Sequence, residues 1–206
     1  MKTSLTCMFI TASLLSSGCV SLLPSPAPAD TVYRLAMDVK PVQPKATAEV
    51  VRIDQPSVSE IFNGQDIVVT MDGLKMKTVA QARFAEPMPV MVQKALIDTL
   101  STHADFIGLL PTSGPRTETR LHLTIRNFEA NFDRGEDSAP IAKVSYVVTY
   151  SESADRKLLG THFVTRSTRA NSTNVSDIVD ALQSANQDAM LDILNWMSTQ
   201  RAASPA

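Results

Sequence analysis

The sequence predicts an α+β fold: an antiparallel sheet with two main helices packed on it, in a single domain. Three observations predict it. Short β-branched or alternating runs recur from Thr31 to Phe163, separated by turn residues. Two stretches instead carry apolar residues every three or four positions, one opened by Pro87-Met88-Pro89 and one over Val175–Met197, and read as helices. No internal repeat or second linker divides the 206 residues, a length that buries one ordinary core.

Ahead of that domain stands a segment of another kind. Lys2 supplies a short positive start, and Leu5 to Leu15 is an apolar core too short to span as an ordinary transmembrane helix. Ser16-Ser17-Gly18 then leads into Cys19. A secretory signal with small residues just before a cysteine resembles a bacterial lipobox, in which the thiol is lipidated and the peptide is cut before it. The usual Leu three residues before the cysteine is Ser16 here, with Leu15 one position further back. The expectation is a signal peptide over residues 1–18 and a lipidated, proline-rich tether over 19–30. Cleavage would leave 188 residues, remove Lys2 and Cys7, and shift the net charge from −2 to −3. The one remaining cysteine carries the lipid, so no disulfide forms. Val20 at the next position resembles an outer-membrane address. Pro24, Pro26 and Pro28 favour an extended spacer; the eleven residues from Val20 to Asp30 reach roughly 30 Å at about 3.1 Å each.

The domain is expected over 31–198, followed by a C-terminal tail over 199–206. Thr31–Met37 and Glu49–Asp54 read as short strands, separated by the prolines at 41 and 44. Asp66–Met71 ends at Asp72-Gly73, a strong hairpin signal, and Lys75–Phe84 returns from it. The helix that follows carries Met88, Met91, Val92, Ala95, Leu96 and Leu100 on one side, with proline tolerated in its first turn. Phe106–Leu110 is a brief strand. In the next, Leu121, Leu123 and Ile125 share a phase that slips by one before Phe128, which predicts a bulge near Arg126-Asn127. After a polar loop at Asp133–Ser138, Val144, Tyr146, Val148 and Tyr150 alternate with polar residues, and Leu159, Thr161 and Phe163 continue the meander. A polar stretch, Arg166–Asn174, leads to the second helix.

Composition excludes several function classes. With 19 Lys+Arg against 21 Asp+Glu, the chain is neither a polybasic nucleic-acid binder nor an acidic disordered tail. CxxC, HExxH, GxSxG, the P-loop and GxGxxG are all missing, and His103, His122 and His162 lack a second metal-type residue at ligand spacing. His122 and His162 read as exposed strand histidines. The acids Asp133, Glu136 and Asp137 fall in a hairpin loop, where solvated carboxylates are ordinary. Met88 and Met91 read as core filling. Neither an enzyme nor a cofactor is expected.

Several segments in order then resemble one family, the ABC-type transport auxiliary lipoproteins. They are the lipobox and stalk, Tyr33-Arg34-Leu35, Ala82-Arg83-Phe84-Ala85-Glu86-Pro87-Met88-Pro89, the long strand with Leu121–Glu129, and the amphipathic C-terminal helix. Phe84 stands where the family more often has Trp. The resemblance implies a non-catalytic lipoprotein at the periplasmic face of the outer membrane, held in the outer-membrane lipid through acylated Cys19. Its implied partners are an MCE-domain periplasmic subunit with an ABC permease and ATPase, which move phospholipid or other lipophilic molecules, and further copies of itself in a homo-oligomer. Tyr33, Arg34, Leu35, Phe84, Glu86 and Pro87 are the candidate partner-binding or helix-starting residues. Read from the residues alone, Phe84 packs, Glu86 complements the positive helix end and Pro87 starts the helix. A structural or assembly lipoprotein of an envelope complex is the alternative role.

Overall fold

The computed structural model describes residues 29–35, 37 and 39–203; the signal segment, Cys19 and most of the tether lie outside the described residues. Nine strands and two helices follow in the order β1 (Thr31–Tyr33), β2 (Glu49–Ile53), β3 (Ser57–Val58), β4 (Asp66–Met71), β5 (Lys75–Phe84), α1 (Met88–Leu100), β6 (Phe106–Leu109), β7 (Thr119–Phe132), β8 (Ile141–Glu152), β9 (Leu158–Arg169) and α2 (Val175–Ala203), with one 3₁₀ turn at Glu60–Phe62.

The long strand β7 organises the sheet. Its whole length pairs antiparallel with β8, which pairs antiparallel with β9. Its other side is shared by three shorter strands, all parallel to it: β2 at Thr119–Leu121, β3 at Thr124–Ile125 and β4 at Ala130–Phe132. Beyond these, β6 lies parallel to β2, β5 antiparallel to β4, and β1 parallel to β5. The sheet is therefore mixed, which corrects the expected antiparallel one. The reason is local versus distant information. Asp72-Gly73 and the 133–138 loop announce hairpins between neighbours in sequence, whereas β4 meets β7 only after β5, α1 and β6 have intervened. No short-range signal marks that pairing.

The local devices follow the residues. Asp72 and Gly73 take φ of 52° and 70° in the three-residue loop Asp72-Gly73-Leu74 that joins the paired residues Met71 and Lys75, left-handed values that suit a small polar residue and glycine. The register of β7 against β8 shifts between Ile125 and Asn127, where the hydrophobic phase slips, and so keeps both Ile125 and Phe128 buried. Both helices cover one face of the sheet. Leu121, Leu123, Ile125, Phe128, Ala142, Val144, Tyr146 and Val148 meet Val92, Leu96, Leu182, Ala185, Ala189, Met190 and Ile193 in one buried core. Met88 and Met91 belong to it.

Two strand limits and one helix limit depart from the sequence reading. β1 stops at Tyr33 rather than Met37, and β9 continues to Arg169, well into the stretch expected to be a loop. The second helix runs to Ala203 instead of ending at Met197, so much of the expected tail is helical. The extra turns are held from the side: the Arg201 guanidinium donates to the backbone oxygens of Asp105 and Thr47 and lies 5.7 Å over the Phe106 ring.

Candidate functional site

The family-matched residues converge where the chain enters the domain. Parallel pairing sets Thr31, Val32 and Tyr33 beside Ala82, Arg83 and Phe84. The Ala85 amide donates to the Tyr33 carbonyl at 2.8 Å, and the Phe84 amide donates to the Gln65 carbonyl at 2.7 Å. Phe84 is 1% exposed and meets Phe128 edge to face at 6.1 Å. Tyr33 and Leu35 pack on the same core from its margin, while Arg34 is exposed.

The seam then turns into α1. Pro87 is the N-cap and offers no side-chain hydrogen bond; the Met88 amide is satisfied instead by the Gly64 carbonyl at 2.9 Å. Glu86 accepts two hydrogen bonds from Lys94 Nζ, at 2.6 and 2.8 Å, across the first turns of the helix. Its carboxylate thus sits directly before the N-cap and pairs with a side chain of the helix's first turns. Arg83 reaches both Gln65, donating at 2.7 Å, and Asp30, at 3.4 Å, and so ties the last tether residue to β5. Of the six candidates, Tyr33, Leu35, Phe84, Glu86 and Pro87 build one junction, and Arg34 stands outside it.

Other polar groups form separate clusters. Glu49 accepts from Tyr150 and Thr119. Burial first, and the Glu49 carboxylate second, push the Tyr150 hydroxyl well above its ordinary pKa. Asp54 accepts from Arg120 and lies 3.3 Å from Arg52. Glu129, buried, accepts from Thr70 and Asn127. Tyr146, fully enclosed, donates to Asn186 at 2.6 Å, and burial raises its hydroxyl pKa well above the usual value. Sequence reasoning passed over all of these acids and Asn186. Their signal is a polar residue in an otherwise apolar phase, which Asn186 between Ala185 and Ala189 does show.

Of the two strand histidines, His122 lies on the expected face and His162 departs from the expectation. His122 lies on the face opposite Leu121 and Leu123, half-buried, 2.9 Å from Ser57 Oγ. His162 faces the helix rather than solvent. It stacks on Trp196 at 5.1 Å with 10° between the rings and lies 3.3 Å from Asp192, which also accepts from Arg166 at 2.5 Å. β8 imposes this phase by pairing Val148 with His162 and Tyr146 with Val164, which turns Phe163 outward. Asp133 sits in the expected loop, held by Arg169 at 2.7 and 2.9 Å, and that hydrogen bonding keeps its carboxyl below the usual range.

The described residues offer little concave chemistry. An open depression of about 340 Å³ lies between α1 and β6, lined by Lys94, Ile97, Asp98, Gly108, Leu109 and Leu110 among others. Its one cation, Lys94, is engaged by Glu86. No group of three His, Cys, Asp or Glu among the described residues could hold a metal ion. No described helix is long and apolar enough to cross a membrane.

Comparison with known proteins adds to this geometry. The family model of ABC-type transport auxiliary lipoprotein components matches residues 33–193. Among solved structures, a Xanthomonas campestris protein of the DUF330 family superposes with a TM-score of 0.74 at 17% identity, covering 84% of this chain and 99% of that one. A second, uncharacterized protein gives 0.66 at 12% identity, covering 82% and 99%. A hypothetical protein of Chlamydia trachomatis gives 0.50 at 10% identity, covering 76% and 99%. At such identities these likenesses speak to the fold. No functionally curated protein matches the chain.

Proposed function

Since the chain belongs to the family of ABC-type transport auxiliary lipoprotein components, we propose that it is a non-catalytic module tethered to the outer membrane through acylated Cys19. It serves an MCE-type ABC system that moves phospholipid or another lipophilic molecule across the periplasm. One observation carries the non-catalytic reading: the family-matched residues are spent on construction. Phe84 is interior packing, Glu86 is paired with Lys94, Pro87 starts a helix, and Tyr33 closes the seam. Nothing at that junction presents a nucleophile beside a base.

The work of such a module is contact. A tether of roughly 30 Å confines the domain near one bilayer and raises its effective concentration against a partner that spans the periplasm. ATP hydrolysis belongs to other subunits. Arg34, exposed beside the seam, and the margin formed by Tyr33 and Leu35 are the places where the family-matched segment is open to a partner.

Crosslinking in intact cells followed by purification of the tagged full-length chain tests this. The expected result is recovery of a subunit with MCE domains together with a permease and an ATPase. Recovery of secretion or envelope-assembly components in their place would contradict the transport role and favour an assembly lipoprotein.

A further inference from the structure

The β4–β5 hairpin ends in a feature that packing does not explain. Leu74, directly after the Asp72-Gly73 turn, is 89% exposed, and Met76, two positions on, is 39% exposed. Both alternate with lysines, Lys75 and Lys77. Lys75 lies 3.2 Å from Asp72, and Lys77 lies 3.9 Å from Glu136 of the β7–β8 loop; all four charged groups are largely in solvent. The two left-handed positions of this three-residue loop call for glycine and a small polar residue, which Asp72 and Gly73 supply, and Leu74 is the third loop residue. The loop does not need leucine there.

Topology says which way this tip faces. β4 runs parallel to β7 with Met71 beside Phe132, so the β4–β5 turn and the 133–138 loop share one end of the sheet. β1 runs parallel to β5 with Thr31 beside Ala82, and Asp30 is pinned to Arg83. β1 therefore runs away from the hairpin tip, and Asp30, the residue before it, lies on the side of β1 that faces the tip. From Ala82 back to Lys75 is seven strand residues, roughly 24 Å at about 3.4 Å each. The Val20–Asp30 segment reaches roughly 30 Å. If Cys19 is acylated, a segment of that reach would let the tip touch the surface that holds the lipid.

We propose that the β4–β5 turn is a membrane-contacting finger, which buries Leu74 and Met76 among the lipids of the phospholipid bilayer that anchors Cys19. The proposal rests on the lipidation reading above. Leucine and methionine supply the apolar contact. Lys75 and Lys77 keep their ammonium groups at the level of the headgroup phosphates, as amphipathic lysines do at an interface. The anchor holds the domain near the bilayer, and the finger fixes its orientation. The opposite end, with the β8–β9 turn, then faces the periplasm and any partner there.

The test uses full-length, acylated protein in which Leu74→Cys carries an environment-sensitive fluorophore, reconstituted on vesicles of phosphatidylethanolamine and phosphatidylglycerol. Leu158→Cys, at the opposite end and 59% exposed, is the reference position. The expected result is a severalfold rise and blue shift of emission at 74, quenched by brominated acyl chains, with no change at 158. A second label at Met76→Cys should follow the first. Acylated protein bound to vesicles whose label at 74 behaves like that at 158 overturns the finger while leaving the anchor intact. A response at 74 that needs an added protein partner also overturns it and assigns the tip to a protein interface. Intact-mass measurement separates the two levels: a chain without acyl groups removes the anchor, and the finger falls with it.

Discussion

The two ends of the sheet are built on opposite terms. At the end that holds the β8–β9 turn, Trp196 is wedged among His162, Tyr150 and Gly160, with Tyr150 meeting its ring edge to face at 6.4 Å. Asp192 with Arg166, and Arg201 on the Thr47 and Asp105 carbonyls, complete a lock that binds α2 to β8, β9 and the chain before β2 and β6, while Glu49 ties Thr119 of β7 to Tyr150 of β8. At the other end, β5 carries exposed residues along most of Lys75–Gln81, and the apolar Leu74 touches almost nothing. Interlocking contacts to α2 gather at one end, and an apolar hairpin tip stands in solvent at the other.

The comparison breaks first at Trp196. Trp196→Ala leaves a hole between α2, β8 and β9 and is expected to cost about 3 kcal/mol or more, read from the denaturant midpoint. Gly160→Ala comes next, since a Cβ there would sit 2.9 Å from the Trp196 ring. Overpacking of that kind costs about 1–3 kcal/mol. The pair together should cost less than the sum of the two, because removing the indole makes room for the methyl; strict additivity would show that the two do not share the site.

Tyr150→Phe is the milder probe of the same end. It removes one donor to Glu49, leaves Thr119 in place, and should cost about 1 kcal/mol. Leu74→Ser, at the open end, should move stability by no more than about 0.5 kcal/mol in either direction. An effect as large as that of Gly160→Ala would mean that the tip is packed in solution and would erase the contrast between the ends.

Acid sharpens the comparison further. Asp133, hydrogen-bonded by Arg169, and Asp105, hydrogen-bonded by Lys45, both have carboxyls held below the usual range. A lowered folded-state pKa stabilises the fold above the ordinary carboxylate range, and that stability is lost as pH falls through the depressed values. Arg169→Ala should therefore flatten the acid limb from its neutral side, lowering stability slightly at neutral pH and leaving it unchanged at pH values below the depressed range; the effect is small because the Asp133 pair is solvent-accessible.

Much of the fold was legible because its signals are local. Asp72-Gly73 announced a hairpin, the slip between Ile125 and Phe128 announced a bulge, and the apolar stripe from Val175 to Met197 announced the long helix. What stayed hidden depends on distant partners. The parallel pairing of β4, β3 and β2 along one side of β7 has no short-range mark. In β9 the alternation is weak, and only pairing with β8 and the indole of Trp196 decides that His162 points in and Phe163 out. The candidate site shows the same split. Phe84, Glu86 and Pro87 signal a helix start in sequence, but their union with Tyr33 requires a strand that is laid down some fifty residues earlier.

The most direct measurement follows the chain into membrane fractions as wild type and as Cys19→Ala, with the intact mass of the processed protein determined in each. The account requires the wild type to sediment with the outer membrane, to begin at residue 19 and to carry acyl chains, and it requires Cys19→Ala to leave that fraction. A free thiol at position 19, or a Cys19→Ala protein that still sediments with the outer membrane, would contradict it.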